Sequence, residues 1–98
     1  MDLELESGRV IRGVTEDETR ACLESEEFAI LSASPDTYIQ CAEQNSPPHG
    51  HVLEYQDGSL QKHYRAADGP ITLDRVLSAF VKYLHGDPSW RNDFSGKR

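Results

Sequence analysis

The sequence predicts an α+β fold, an antiparallel β-sheet with two helices packed on one face. Three observations carry this. Two stretches, 28–43 and 51–66, each read as a pair of strands around a turn. The opening run Leu3-Glu4-Leu5-Glu6 alternates apolar and acidic residues, adding an N-terminal strand or hairpin. Two further stretches place apolar residues at helical spacing behind capping signals, and they supply the cover for the sheet.

Taken in order, Leu3 to Glu6 is a half-buried strand, Ser7-Gly8 a turn, and Arg9-Val10-Ile11-Arg12 a second short strand or a continuation. Thr15 with Glu18 three residues later makes a capping box, and Glu16, Asp17 and Glu18 complement the helix dipole. A helix from about Glu16 to Ser25 follows, with Thr19, Cys22 and Leu23 on one face. Phe28–Ala33 and Tyr38–Glu43 form the first hairpin about Ser34-Pro35-Asp36-Thr37, a sequence suited to a type I turn. His51–Gln56 and Ser59–Ala66 form the second about Asp57-Gly58. The stretch 44–50 between them is a polar loop. Thr72 caps the last helix, whose stripe is Leu73, Val76, Leu77, Phe80 and Leu84, and Gly86 and Pro88 stop it. Trp90 and Phe94 then fold back, and residues 95–98 fray, leaving 1–94 as a single domain.

Pairing about the turns assigns the faces. With Ser34 opposite Thr37, the residues Phe28, Ile30, Ile39 and Cys41 share the core side. With Gln56 opposite Ser59, Leu53 and Tyr64 join them. The open face then carries Tyr38, Gln40, Glu54, Gln56, Gln61, His63 and Arg65. An antiparallel sheet tolerates a solvated face, so these residues need no function. Tyr and Arg are nonetheless enriched at interface hot spots, which makes the face a candidate recognition surface.

Composition narrows the function. The chain has 98 residues, 37% of them apolar, enough for one modest core. No apolar stretch spans a membrane, and no basic region followed by an apolar one opens the chain, so neither a membrane segment nor a secretory leader is expected. A net charge of −7 disfavours nucleic-acid binding, which needs a basic patch. That charge is uneven: residues 1–27 hold nine of the seventeen acids and three of the ten bases, a balance of −6. Glu24, Glu26 and Glu27 have no structural role visible in the sequence. Cys22 and Cys41 lack metal or redox spacing, read as reduced buried thiols, and place the chain by default in the cytoplasm.

Chemistry was sought in three forms. His49, His51 and His63 are too few and too divergent for a metal site, with His51 and His63 on opposite faces. Cys41 points to the core, where a thiol is inert, and no Gly-x-Ser-x-Gly elbow is present. Glu43 and Glu54 are a carboxylate pair of the kind that seventeen acids produce by chance. No catalytic residue, metal or cofactor is expected, and an enzyme is disfavoured.

The segment 52–90 carries a resemblance. A hairpin with Val52-Leu53-Glu54-Tyr55, Asp57-Gly58 and His63-Tyr64-Arg65 leads into a helix ending Ala79-Phe80, then Gly86, Pro88 and Trp90. This resembles the small bacterial immunity proteins that neutralise polymorphic toxins, several families of which close with Ala-Phe, Gly, Pro and Trp. The resemblance implies a non-enzymatic protein-binding module, an inhibitor that binds and blocks a toxin domain. An acidic chain would favour a basic partner. The candidate contacts are Tyr38, Gln40, Glu54, His63 and Arg65 on the sheet, Glu24, Glu26 and Glu27 at the helix-one end, separate from that face, and Trp90. The alternatives are a small-molecule or minor enzymatic site on the open sheet face, or a self-associating structural domain.

Overall fold

The computed structural model describes residues 1–44, 47, 49–66 and 70–94, and the backbone of 96–97. Its strands are β1 (Asp2–Leu5), β2 (Val10–Ile11), β3 (Phe28–Ser34), β4 (Thr37–Gln44), β5 (Gly50–Asp57), β6 (His63–Ala66) and β7 (Gly96–Lys97). They form one antiparallel sheet in the order β2-β1-β3-β4-β5-β6-β7. The helices are α1 (Glu16–Ser25) and α2 (Leu73–Leu84), followed by a 3-10 helix, Pro88–Asp93. The architecture is the α+β sheet that the sequence predicts. Residues 96–97 depart from the expected frayed tail, because Gly96 and Lys97 pair with Ala66 and Arg65.

Both helix starts follow from their caps. The Thr15 side chain accepts from the Glu18 N–H while the Glu18 carboxylate accepts from the Thr15 N–H at 3.0 Å, the full capping box. Thr72 likewise accepts from the Arg75 N–H. From the caps onward, Thr19, Cys22 and Leu23 of α1 and Val76, Leu77, Ala79 and Phe80 of α2 are buried together. They meet Leu3, Leu5, Ala29, Leu31, Ile39, Cys41 and Leu53, which are all on one face of the sheet. Both helices therefore cover the same side. The start of α1 is tied to the end of α2 by His85 Nε2 and Glu16 Oε1 at 2.9 Å.

Two connections differ from the expected ones, for the same physical reason. Among the described residues none other than glycine has a positive φ, and neither Pro35 nor Asp36 is a glycine. The first hairpin turn is therefore not of the primed kind that matches strand twist, and a bulge between Ser32 and Ser34 takes up the mismatch. Beyond it the register is Leu31 with Ile39, Ile30 with Gln40 and Ala29 with Cys41. That one-residue shift turns Ala29 and Leu31 to the core and Phe28 and Ile30 to the open face, correcting the expected assignment. In the second hairpin only Gly58 has a positive φ, so Asp57-Gly58 is not a type I′ turn. A 3-10 turn, Leu60–Lys62, intervenes and β6 starts at His63, opposite Gln56. This shift is by four residues, an even number, so His63, Tyr64 and Arg65 keep their expected faces, while Leu60, expected opposite Tyr55 on the core side, is 81% exposed in the 3-10 turn.

One glycine is required by a close approach. Gly50 opens β5 at φ +152°, and a Cβ there would lie 2.6 Å from Pro70 Cβ. The adjacent His51 exchanges two backbone hydrogen bonds with Ile71, which pins the entry to α2 against the sheet.

Two measurements check this arrangement. Leu31→Ala is expected to cost about 2–5 kcal/mol in urea denaturation, and Ile30→Ala roughly 1 kcal/mol, since only the first empties a packed core; the expected sequence register demands the opposite ranking. The hydrogen bond from His85, then that from Arg20, holds the Glu16 carboxyl below its ordinary range. A depressed carboxylate stabilises the fold above its unfolded pKa, and that contribution is lost as pH falls through its folded value. Glu16→Gln should therefore flatten the acid-side slope of Tm against pH below about pH 4.5.

Candidate functional site

The open face is ordered in three cross-strand rows, each set by backbone register. The first is Phe28–Ala42–Val52. The second runs Val10–Glu4–Ile30–Gln40–Glu54–Arg65 across six strands. The third is Asp2–Ser32–Tyr38–Gln56–His63. The structure thus brings Tyr38, Gln40, Glu54, His63 and Arg65 to one surface, as the sequence predicts. Gln61 sits in the 3-10 turn instead, away from the rows.

Gln56 organises the polar end of this surface. It is 6% exposed, and its amide is fully engaged. Its Nε2 donates to the Asp36 carbonyl at 3.3 Å, which fixes the side-chain orientation. Its Oε1 accepts from Tyr38 Oη at 3.3 Å and faces His63 Nδ1 at 3.4 Å. The other imidazole nitrogen, Nε2, meets Glu54 Oε2 at 2.9 Å. Both ring nitrogens therefore face oxygen atoms. Tyr38 stands edge-on to the His63 ring, 6.3 Å between centroids. The Tyr38 hydroxyl engages Gln56 rather than the imidazole.

The apolar end is what sequence reasoning missed. Phe28, Ile30, Ala42 and Val52 are half-buried, and none of them packs on the core beneath α1 and α2. They form a contiguous patch in the first two rows, with Glu4 directly opposite Ile30. The signal was present in Ser34-Pro35-Asp36-Thr37, because an unprimed two-residue turn calls for a neighbouring bulge.

The acidic cluster lies at this same end. Glu24 and Glu27 are exposed, Glu27 immediately precedes Phe28, and its carbonyl accepts from the Glu43 N–H at 2.7 Å. Glu26 caps α1 and takes a 3.5 Å contact from Ser7 Oγ. Glu27 thus adjoins the open face, whereas Glu24 belongs to α1, on the helix-bearing side of the sheet. Trp90 is not part of this surface. It is 4% exposed on the opposite side, edge-on to Tyr55 at 4.8 Å and to Tyr83 at 6.1 Å, which corrects its assignment as a contact residue.

His51 and His63 fall on opposite faces, and among the described residues no three metal-ligating side chains converge. No helix among them is long and apolar enough to cross a membrane. The two edge strands, β2 and β7, are two residues each, which leaves little ladder for edge-to-edge association.

Burial pushes the Cys41 thiol up to about 12 against a weaker opposing hydrogen bond from Ala29. A thiol held protonated is neither nucleophile nor ligand. Iodoacetamide at pH 8 is accordingly expected to leave Cys41 unmodified in the native protein and to label it in urea, as read by peptide mass. Compared with known proteins, the chain matches no family model, no curated protein and no solved structure.

Proposed function

We propose that this chain is a non-enzymatic protein-binding module, an immunity-type inhibitor that docks its open sheet face on a basic protein domain and blocks it. The observation that carries the reading is the half-buried apolar patch Phe28, Ile30, Ala42 and Val52, bordered by Glu4, Glu54 and Glu27, outside the core that the helices cover. Contiguous apolar surface rimmed by charge is the anatomy of an interface. The desolvated centre supplies affinity, and the rim selects a partner of opposite sign and accelerates its approach. Tyr38, His63 and Arg65 extend the patch with side chains that combine apolar area and hydrogen bonding. A toxin domain whose substrate is a polyanion has the basic surface such a rim would select.

The second reading is a small-molecule or enzymatic site around Tyr38, Glu54, His63 and Arg65, and the 2.9 Å contact of His63 with Glu54 favours it. Ligand-induced shifts of the His63 ring signals in NMR would distinguish it from protein docking.

Affinity capture from the source-cell lysate at low salt is expected to retain one basic protein. Ile30→Lys should abolish retention, with at least about a thirtyfold loss in affinity, as for a central hot-spot residue. Reversing Glu24, Glu26 and Glu27 to Lys should slow association by about tenfold, more than Glu54→Lys does, and added salt should erase that difference. No retention at low salt, or equal retention by Ile30→Lys, would overturn the reading.

A further inference from the structure

A cavity of about 200 Å³ lies on the helix-bearing side of the sheet, at the corner where the 3-10 helix 88–93 flanks β5 and β6. Leu53 and Ala66 are at its sheet wall, and its aromatic walls are Tyr55, Tyr64, Trp90 and Phe94. Tyr55 and Tyr64 oppose each other across the strands and stack at 4.8 Å, 19° between planes. Trp90 meets Tyr55 edge-on, so the walls present ring faces and edges at fixed angles. Burial raises the Tyr55 hydroxyl above the ordinary phenol range, which keeps it neutral. Among the described residues, the one charged side chain lining the cavity is that of Arg91.

Arg91 Cζ lies over the Tyr55 ring, 4.9 Å from its centroid, and 5.8 Å from that of Trp90. Its Nη2 is ion-paired with Asp57 Oδ2 at 3.7 Å, longer than a hydrogen bond, and the side chain is 45% exposed. Ring and carboxylate thus place the guanidinium where it still faces the cavity. A planar anion is favoured, because the guanidinium fork matches a carboxylate bidentately.

Size sets the other half of the ligand. A cavity of about 150 Å³ holds benzene, whereas drug-sized ligands occupy about 300–1,000 Å³. We infer that this cavity is a binding site for a single-ring aromatic carboxylate, with the ring between Tyr64, Trp90 and Phe94 and the carboxylate on Arg91. The site lies on the side of the sheet away from the docking patch, so the two stand or fall separately.

The chain has one tryptophan, so tryptophan fluorescence follows Trp90, a wall of this cavity, and the Ala66 variant below ties the signal to it. Titration with phenylacetate is expected to give a saturable change, and benzyl alcohol, which lacks the charge, to bind at least about tenfold more weakly. Arg91→Gln should lose about tenfold for phenylacetate and nothing for benzyl alcohol. Asp57→Asn should bind no more weakly than the parent, which separates loss of the ligand's partner from disturbance of the loop. Ala66→Phe, which fills the cavity, should abolish the signal while circular dichroism shows the fold retained. No saturable change up to about 10 mM phenylacetate, or equal binding by the parent and Arg91→Gln, would overturn the assignment. So would binding of acetyl-Gly-Gly-Phe without binding of phenylacetate, which would make the cavity an anchor for a peptide terminus.

Discussion

The bulge between Ser32 and Ser34 is the feature on which the working surface depends. A strand alternates its side chains with a period of two, so one unpaired residue exchanges the faces of everything beyond it. Without the bulge, Ile30 would enter the core opposite Cys41, and Leu31 would stand in solvent. With it, Leu31 meets Ile39 beneath the helices, and Ile30 meets Gln40 and Glu4 on the uncovered face. The local cost of an interrupted ladder is offset by a turn, Pro35-Asp36, that needs no residue in the left-handed region.

Buried polarity locks the same region. Gln56 sits between the two hairpins, bonded to the Asp36 carbonyl of one turn and to Tyr38 and His63 on the strands either side. That same carbonyl also accepts from the Gly58 N–H at 2.9 Å. The two connections with irregular geometry are therefore fastened to each other through one carbonyl and one amide. A buried amide left unsatisfied would be costly, so the alternatives in register that break these bonds are penalised. The polar end of the open face therefore carries side-chain hydrogen bonds between its strands, and its apolar end is ordered by backbone strand pairing.

Charge and burial are arranged separately. The excess acidity belongs to residues 1–27, and part of it is spoken for: Glu16 binds His85 and Arg20, and Glu18 completes the cap of α1. Glu24 and Glu27 have no such duty, and Glu27 stands where the apolar row begins. On the far side, Arg91, ion-paired with Asp57, lines an aromatic cavity. The two surfaces therefore differ in scale, one a broad open face and the other a small aromatic pocket.

The sequence by itself determined both helices and their caps, because capping boxes and apolar stripes act within one or two turns of the residues that carry them. It also determined that Tyr38, Gln40, Glu54, His63 and Arg65 share a face. The second hairpin shifted by four residues, and an even shift preserves facing. Tertiary structure decided what alternation cannot encode. Phe28 and Ile30 were misplaced because a single-residue bulge is invisible to a period-two pattern, although the turn beside it hinted at one. Trp90, a plausible contact by residue type, became a lid because the 3-10 helix after Gly86 carries it back onto Tyr55. The nearness of Glu27 to the apolar row, and of Arg91 to Tyr55, arises only when distant segments meet, and no local rule specifies it.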